Sequence, residues 1–208
     1  MLIVALTGGI ATGKSVAAGI FRNLGCVVQE ADKVAHELME PGTPAWKAIV
    51  KHFGEKVLNP DRTLNRKALG KIVYEDRTQR EFLNRLLHPL VMEKKKETIR
   101  ELQKKGGTKI FVSVAALTVE AGFAGFFDKI VVVTCRREDQ IQRLMARDKI
   151  TRQEALLKLE SQLPPEEKLK LADYTIDTSG TLQETIEQSE RVFRSLLMDY
   201  EMKMSQNP

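Results

Sequence analysis

The sequence predicts an α/β fold, a parallel sheet flanked by helices and interrupted by a helical insertion. Three observations carry that reading. Apolar runs of strand length recur at residues 2–6, 110–112 and 130–133, continuous rather than alternating, as in strands buried on both faces. Helical stretches separate successive runs, so the connections are crossovers and the strands parallel. Residues 32–105 read as helical pieces without a strand-like run, which makes them an insertion between the second and third strands.

Each element has a local reason. Leu2-Ile3-Val4-Ala5-Leu6 forms the first strand, ended by Gly8-Gly9; a glycine-rich turn leads into a helix over about 15–24, broken by Gly25. Cys26-Val27-Val28 is a second short strand ending near 30–32, completing a βαβ unit whose crossover is right-handed. Within the insertion, Pro41-Gly42 and Asn59-Pro60-Asp61 mark turns, 66–74 and 78–87 have helical periodicity, and Pro89 starts or kinks the next helix. Gly106-Gly107 closes that block. Residues 137–147 are helical, Thr151-x-x-Glu154 is a capping box opening a further helix, and Pro164-Pro165 stops it. Tyr174-Thr175-Ile176 is the last strand, and Thr181-x-x-Glu184 opens a C-terminal helix. The expected organisation is one domain over 1–208, with a core of about 1–31 and 107–208, an insertion of about 32–106 and a lid of about 143–172.

Composition narrows the class. With 42% hydrophobic and 29% charged residues, 208 residues suffice for a full core, and disorder is excluded. The net charge of +5 suits an anionic ligand but does not argue for nucleic acid, and 6% aromatic residues supply few base-stacking platforms. No segment reaches the roughly 18 apolar residues of a membrane span, and the apolar start lacks the basic lead of a secretory signal. Cys26 and Cys135 stand in apolar runs without CxxC spacing, as reduced core thiols would. A soluble cytoplasmic protein is expected, monomeric or a small homo-oligomer.

One motif carries chemistry. Gly8-Gly9-Ile10-Ala11-Thr12-Gly13-Lys14-Ser15 fits G-x-x-x-x-G-K-[ST] between an apolar strand and a helix, the setting a phosphate loop requires. Glycines let successive N–H groups converge on phosphate oxygens, the helix N-terminus reinforces them, and Lys14 adds a point charge to the β/γ-phosphates. Gly8, Gly9, Ala11, Thr12, Gly13, Lys14, Ser15 and Val16 are therefore the expected residues for binding a nucleoside triphosphate, with Ser15 as the Mg²⁺ ligand.

The neighbours suggest what is done with the nucleotide. Asp32 follows the second strand, and strand ends share the phosphate-loop edge of an open α/β sheet. It can act as general base toward an attacking hydroxyl or help order Mg²⁺; the plainer alternative is a cap on the helix running to Met39. Arg143 and Arg147 are i, i+4 on one helix, a pair suited to polyphosphate if they are not simply a solvated face. His88 stands alone, without a second ligand at metal spacing. The guanine-reading N-K-x-D is absent, and the D-x-x-G at 177–180 comes too late to be a γ-phosphate switch. The h-h-h-h-D-E strand end of motor ATPases is also missing, which leaves a small kinase.

The sequence resembles the dephospho-CoA kinases over about residues 2–190. The likeness rests on Leu6-Thr7-Gly8-Gly9-Ile10, Glu30-Ala31-Asp32, Leu64-Asn65-Arg66-Lys67-Ala68-Leu69 and Leu86-Leu87-His88-Pro89-Leu90-Val91 in order. Gln140-x-x-Arg143-Leu144-x-x-Arg147, Glu160-Ser161-Gln162 and Ala172-Asp173-Tyr174-Thr175-Ile176 complete it. The resemblance implies ATP-dependent phosphorylation of the ribose 3′-hydroxyl of dephospho-CoA, the last step of coenzyme A biosynthesis. It further implies Asp32 as base, Arg66 and His88 on the acceptor side, and Arg143 and Arg147 in the lid. Three positions depart from the family pattern. Val114-Ala115-Ala116-Leu117-Thr118-Val119-Glu120 replaces the usual Asp-x-Pro-Leu-Leu-Phe-Glu, leaving Glu120 as the acceptor-side acid; Glu30 replaces an Asp; Thr178 replaces the adenine-side Asn. Another nucleoside or nucleotide kinase, or a non-catalytic ATP-binding regulatory module, are the alternatives.

Overall fold

A computed structural model describes residues 1–116, 118 and 122–206. The chain divides into two compact units, residues 1–30 with 102–208 and residues 31–101.

The first unit holds a five-stranded sheet in the order β2-β3-β1-β4-β5. Its strands are β1 (Leu2–Gly8), β2 (Val27–Glu30), β3 (Ile110–Val114), β4 (Lys129–Thr134) and β5 (Tyr174–Asp177), all paired in parallel. The continuous apolar runs are explained by burial on both faces. Val4, Leu6, Val112, Val131 and Val133 face one side, under Ala17, Ala18 and Phe21 of α1 (Lys14–Asn23) and Val192 and Leu196 of α9 (Leu182–Gln206). Ala5, Ile130 and Val132 face the other and meet Phe127, with Phe123, Phe126 and Ala172 beside it. Between β4 and β5 run α6 (Arg137–Asp148), α7 (Arg152–Glu160) and α8 (Pro165–Leu169).

The second unit is helical: α2 (Ala31–Leu38), α3 (Pro44–Phe53), α4 (Arg66–Glu75) and most of α5 (Arg77–Lys105). Ile49, Phe53, Val57, Leu64 and Leu69 form its core. Among the described residues no helix is long and apolar enough to cross a membrane.

Several expectations need correcting. Cys26 precedes β2 rather than opening it, because Gly25 at φ +93° turns the chain there. It is a buried thiol, pushed up to about 12 by desolvation, whereas Cys135 just past β4 is only half-buried and is no core residue. Pro89 neither ends nor starts a helix. It lies inside the single α5, forgoing one ladder bond while Leu87, Met92 and Ile99 bury the same element. Pro165 opens α8 instead of stopping α7, which ends at Glu160; a proline at a first helical position gives up an N–H that had no partner there. The Thr151 capping box forms, with Thr151 N–H donating to Glu154 at 2.8 Å.

Candidate active site

β1 delivers the chain to a tight loop whose shape depends on missing side chains. Gly8 has φ +149°, and a Cβ there would overlap the Val133 carbonyl. Gly13, at φ +88°, caps α1 in the left-handed region. Thr12 staples the loop, its hydroxyl donating to the Gly9 carbonyl at 2.9 Å. The Lys14 ammonium donates to the carbonyls of Gly8 (3.0 Å) and Gly9 (2.6 Å), which holds it over the mouth of the loop. Ser15 and Val16 lie exposed in the first turn of α1, and that turn carries no acidic residue to offset the N-terminal dipole. A backbone cradle, a positive helix end and a lysine at its mouth form a donor set that fits a polyphosphate. Among the described residues no cluster of three or more His, Cys, Asp or Glu could cage a metal. One exposed Ser15 hydroxyl instead fits Mg²⁺, which binds through a few protein oxygens together with phosphates and water.

The loop is buttressed from residues far along the chain. The Thr178 hydroxyl donates to the Thr12 carbonyl at 2.8 Å, and its atoms lie 3.0–3.3 Å from where a Gly13 Cβ would stand. Arg143 forks onto Thr178, Nη1 to the hydroxyl at 2.9 Å and Nη2 to the carbonyl at 2.7 Å. Thr178 is thus a support beneath the loop, and it stands within the D-x-x-G segment at 177–180. Arg147 does not join Arg143. Its guanidinium engages Asp148, Nε to Oδ1 at 2.7 Å, and Lys158 donates to the same carboxylate at 2.8 Å. The two arginines share a helix but not a partner, since each has a strong acceptor nearby. Arg147 and Lys158 together hold the Asp148 carboxyl down at about 2.

In the helical unit Asp32 is the second residue of α2, exposed in its first turn and past the N-cap position, where its charge suits the helix dipole. Its N-cap alternative therefore fails in the strict sense. One turn later comes His36, unremarked in the sequence although i+4 from Asp32. Desolvation and then the nearby Arg66 push its imidazole down, while Asp32 and Glu40 push it up. His36 thereby marks Asp32, Glu40 and Arg66 as one electrostatic neighbourhood. Arg66, first residue of α4, lines a cavity of about 430 Å³ with Met39, Glu40, Asn59, Thr63 and Asn65. His88 is half-buried on α5, does not line that cavity, and has its pKa lowered by burial. Glu120 lies outside the described residues.

A parallel sheet whose central strand runs into a phosphate loop defines a phosphate-loop nucleotide-binding fold. The particular family follows from the whole chain. This protein belongs to the dephospho-CoA kinase family, whose sequence profile matches residues 2–184. A dephospho-CoA kinase of Geobacter sulfurreducens is 41% identical over 193 residues, 93% of this chain and 98% of that one. The solved dephospho-CoA kinase from Campylobacter jejuni is similar at TM-score 0.68 and 29% identity, covering 95% of this chain and 98% of its own. A solved Thermus thermophilus structure reaches TM-score 0.79 at 28% identity, covering 93% and 96%.

Proposed function

We infer that this chain is an ATP-dependent kinase that phosphorylates the ribose 3′-hydroxyl of dephospho-CoA, giving coenzyme A. The observation that carries the inference is the intact phosphate loop, cradle and lysine together, within a chain matched by the family nearly end to end. The enzyme acts in the cytoplasm on small molecules, ATP and dephospho-CoA.

In this reading the backbone of Gly8 to Val16 and the Lys14 ammonium hold the β- and γ-phosphates. The 3′-hydroxyl oxygen attacks the γ-phosphorus, the bond to the bridging oxygen breaks, and ADP departs. Asp32 takes the hydroxyl proton. Its carboxylate is exposed, two residues past the last residue of β2, where it can meet an incoming hydroxyl. The Ser15 hydroxyl would hold Mg²⁺, which would supply positive charge beside the phosphates. Arg66 binds anionic groups of the acceptor in its cavity, and His88 and Glu120 complete the acceptor side. Arg143 steadies the loop through Thr178, and Arg147 supplies a second guanidinium from the lid.

A coupled ADP-release assay with dephospho-CoA, adenosine and UMP as separate acceptors tests the inference. ADP should form with dephospho-CoA and depend on ATP and Mg²⁺. Faster turnover with adenosine or UMP would overturn the substrate assignment.

A further inference from the structure

Both backbone groups of Ile10, in the middle of the phosphate loop, are bound by side chains from one helical arm. The Ile10 N–H donates to Gln162 Oε1 at 2.8 Å, and Gln140 Nε2 donates to the Ile10 carbonyl at 2.5 Å. Gln140 projects from α6 and is 7% exposed; Gln162 lies just past α7. Two side-chain amides thus pair with one peptide position as a neighbouring strand would.

Two further features agree. The residue before Ile10 is glycine, and a Cβ on Gly9 would stand 2.6 Å from Gln140 Nε2, so a side chain there would push the Gln140 amide from its present place. The residue after it, Ala11, has φ +58°, a left-handed conformation costing an L-residue roughly 1–2 kcal/mol. Something must hold the loop there. Ile10 and Ala11 also pack on Ile141 and Leu144 of α6 and Ala155 of α7, so apolar contact and the two amides act on the same two residues.

We propose that Gln140 and Gln162 are positioning residues that clamp Ile10, hold Ala11 in its strained conformation, and make the phosphate loop and the α6–α7 arm one rigid piece. Nucleotide binding then depends on two residues that touch no phosphate. The arm that carries Arg143 and Arg147 is registered to the loop through Ile10 rather than hinged freely at α6. This rests on the reading of residues 8–15 as the ATP-binding loop.

The polarity of the peptide gives the test its discrimination, because Gln140 must donate and Gln162 must accept. Gln140→Glu removes the donor and sets a carboxylate against a carbonyl, whereas Gln162→Glu keeps an acceptor for the N–H. The ATP dissociation constant, measured by calorimetry without acceptor, should rise by at least about tenfold in Gln140→Glu, equivalent to about 1.4 kcal/mol. Gln162→Glu should cost at most about threefold, and Gln162→Leu should cost more than Gln162→Glu. Gln140→Met, an apolar side chain of similar length, should also weaken ATP binding and serves if Gln140→Glu does not fold. Turnover at saturating ATP should fall less than affinity, since the reacting groups stay in place. Equal effects of Glu at the two positions, or unchanged ATP affinity in Gln140→Met with only a lower melting temperature, would overturn the clamp. Failure of the parent to bind ATP at all would refute the loop assignment instead, so the two failures are distinct.

Discussion

Replacing Thr178 with valine keeps the shape of the side chain and deletes one hydroxyl, and that hydroxyl does two jobs. Its single proton goes to the Thr12 carbonyl at 2.8 Å, in a buried setting, and its lone pair accepts from Arg143 Nη1 at 2.9 Å. Valine also retains the main-chain bonds, from Thr178 N–H to the Thr134 carbonyl at 2.9 Å and from Arg143 Nη2 to the Thr178 carbonyl at 2.7 Å. The loss is therefore local. An exchanged hydrogen bond is worth about 1 kcal/mol, and a buried carbonyl left unpaired costs about 1–3 kcal/mol. The Arg143 share is smaller, since that guanidinium is exposed and keeps its second bond. A destabilisation of about 2–3 kcal/mol follows, which for a chain of this size lowers the melting temperature by about 4–12 °C. Because the orphaned carbonyl belongs to Thr12, the ATP KM should rise as well, while Thr178→Ser should recover most of both. Thermal melting with and without ATP·Mg²⁺, beside steady-state kinetics, measures each. A melting temperature within about 1 °C of the parent, with an unchanged ATP KM, would refute the idea that Thr178 carries the loop.

Four other outcomes are expected. Lys14→Ala should abolish most activity and weaken ATP binding, because the β/γ-phosphates lose their fixed cation; an unaltered rate and affinity would reduce the loop to a structural turn. Asp32→Asn should lower kcat by about 10²–10⁴-fold with little change in melting temperature, since asparagine suits a helix start but takes no proton. Asp148→Asn should cost on the order of 1 kcal/mol at pH 7, after discounting for an Arg147 side chain that is 57% exposed. Asp148 has a folded pKa of about 2, below its ordinary 3.8, so its stabilisation is present above 3.8 and lost as pH falls through about 2; urea midpoints of parent and variant should converge over that window. His88 is held below its ordinary 6.5 by burial, so the unfolded chain takes up its proton first. Parent stability should then decline as pH falls below about 6.5, more steeply than that of His88→Gln, as melting temperatures across pH 5.5–7.5 can test.

What the sequence conveyed follows the range of the forces involved. Strands β1, β3 and β4 were readable because both faces of each are buried, which writes an unbroken apolar run into consecutive residues. The capping box at Thr151 was readable because its partners are three residues apart. The run of α5 through Pro89 was not, since the lost ladder bond is local while the packing of Leu87, Met92 and Ile99 is tertiary. Pro165 misled for a related reason: proline ends one helix or starts another according to what precedes it.

The site divides along the same line. The phosphate loop is a contiguous octapeptide whose conformation is written in its glycines, so its position could be stated from the chain alone. Its supports could not. Thr178 bonds to a residue 166 positions away, Gln140 to one 130 away and Gln162 to one 152 away, so the stretches that carry the family resemblance contain them without saying what they hold. The spacing of Arg143 and Arg147 suggested convergence, and helical geometry does place them on one face. Spacing cannot say which acceptor each guanidinium finds, and the adjacent Asp148 carboxylate engages Arg147. Position i+4 from Asp32 could have drawn attention to His36, since that offset puts both on one face of α2. A one-dimensional reading therefore locates the glycines and lysine of the loop better than the side chains that hold them still. Loop geometry of this kind depends on the second group: with Gly13 and Ala11 both at positive φ, the cradle is a conformation the surrounding side chains must maintain.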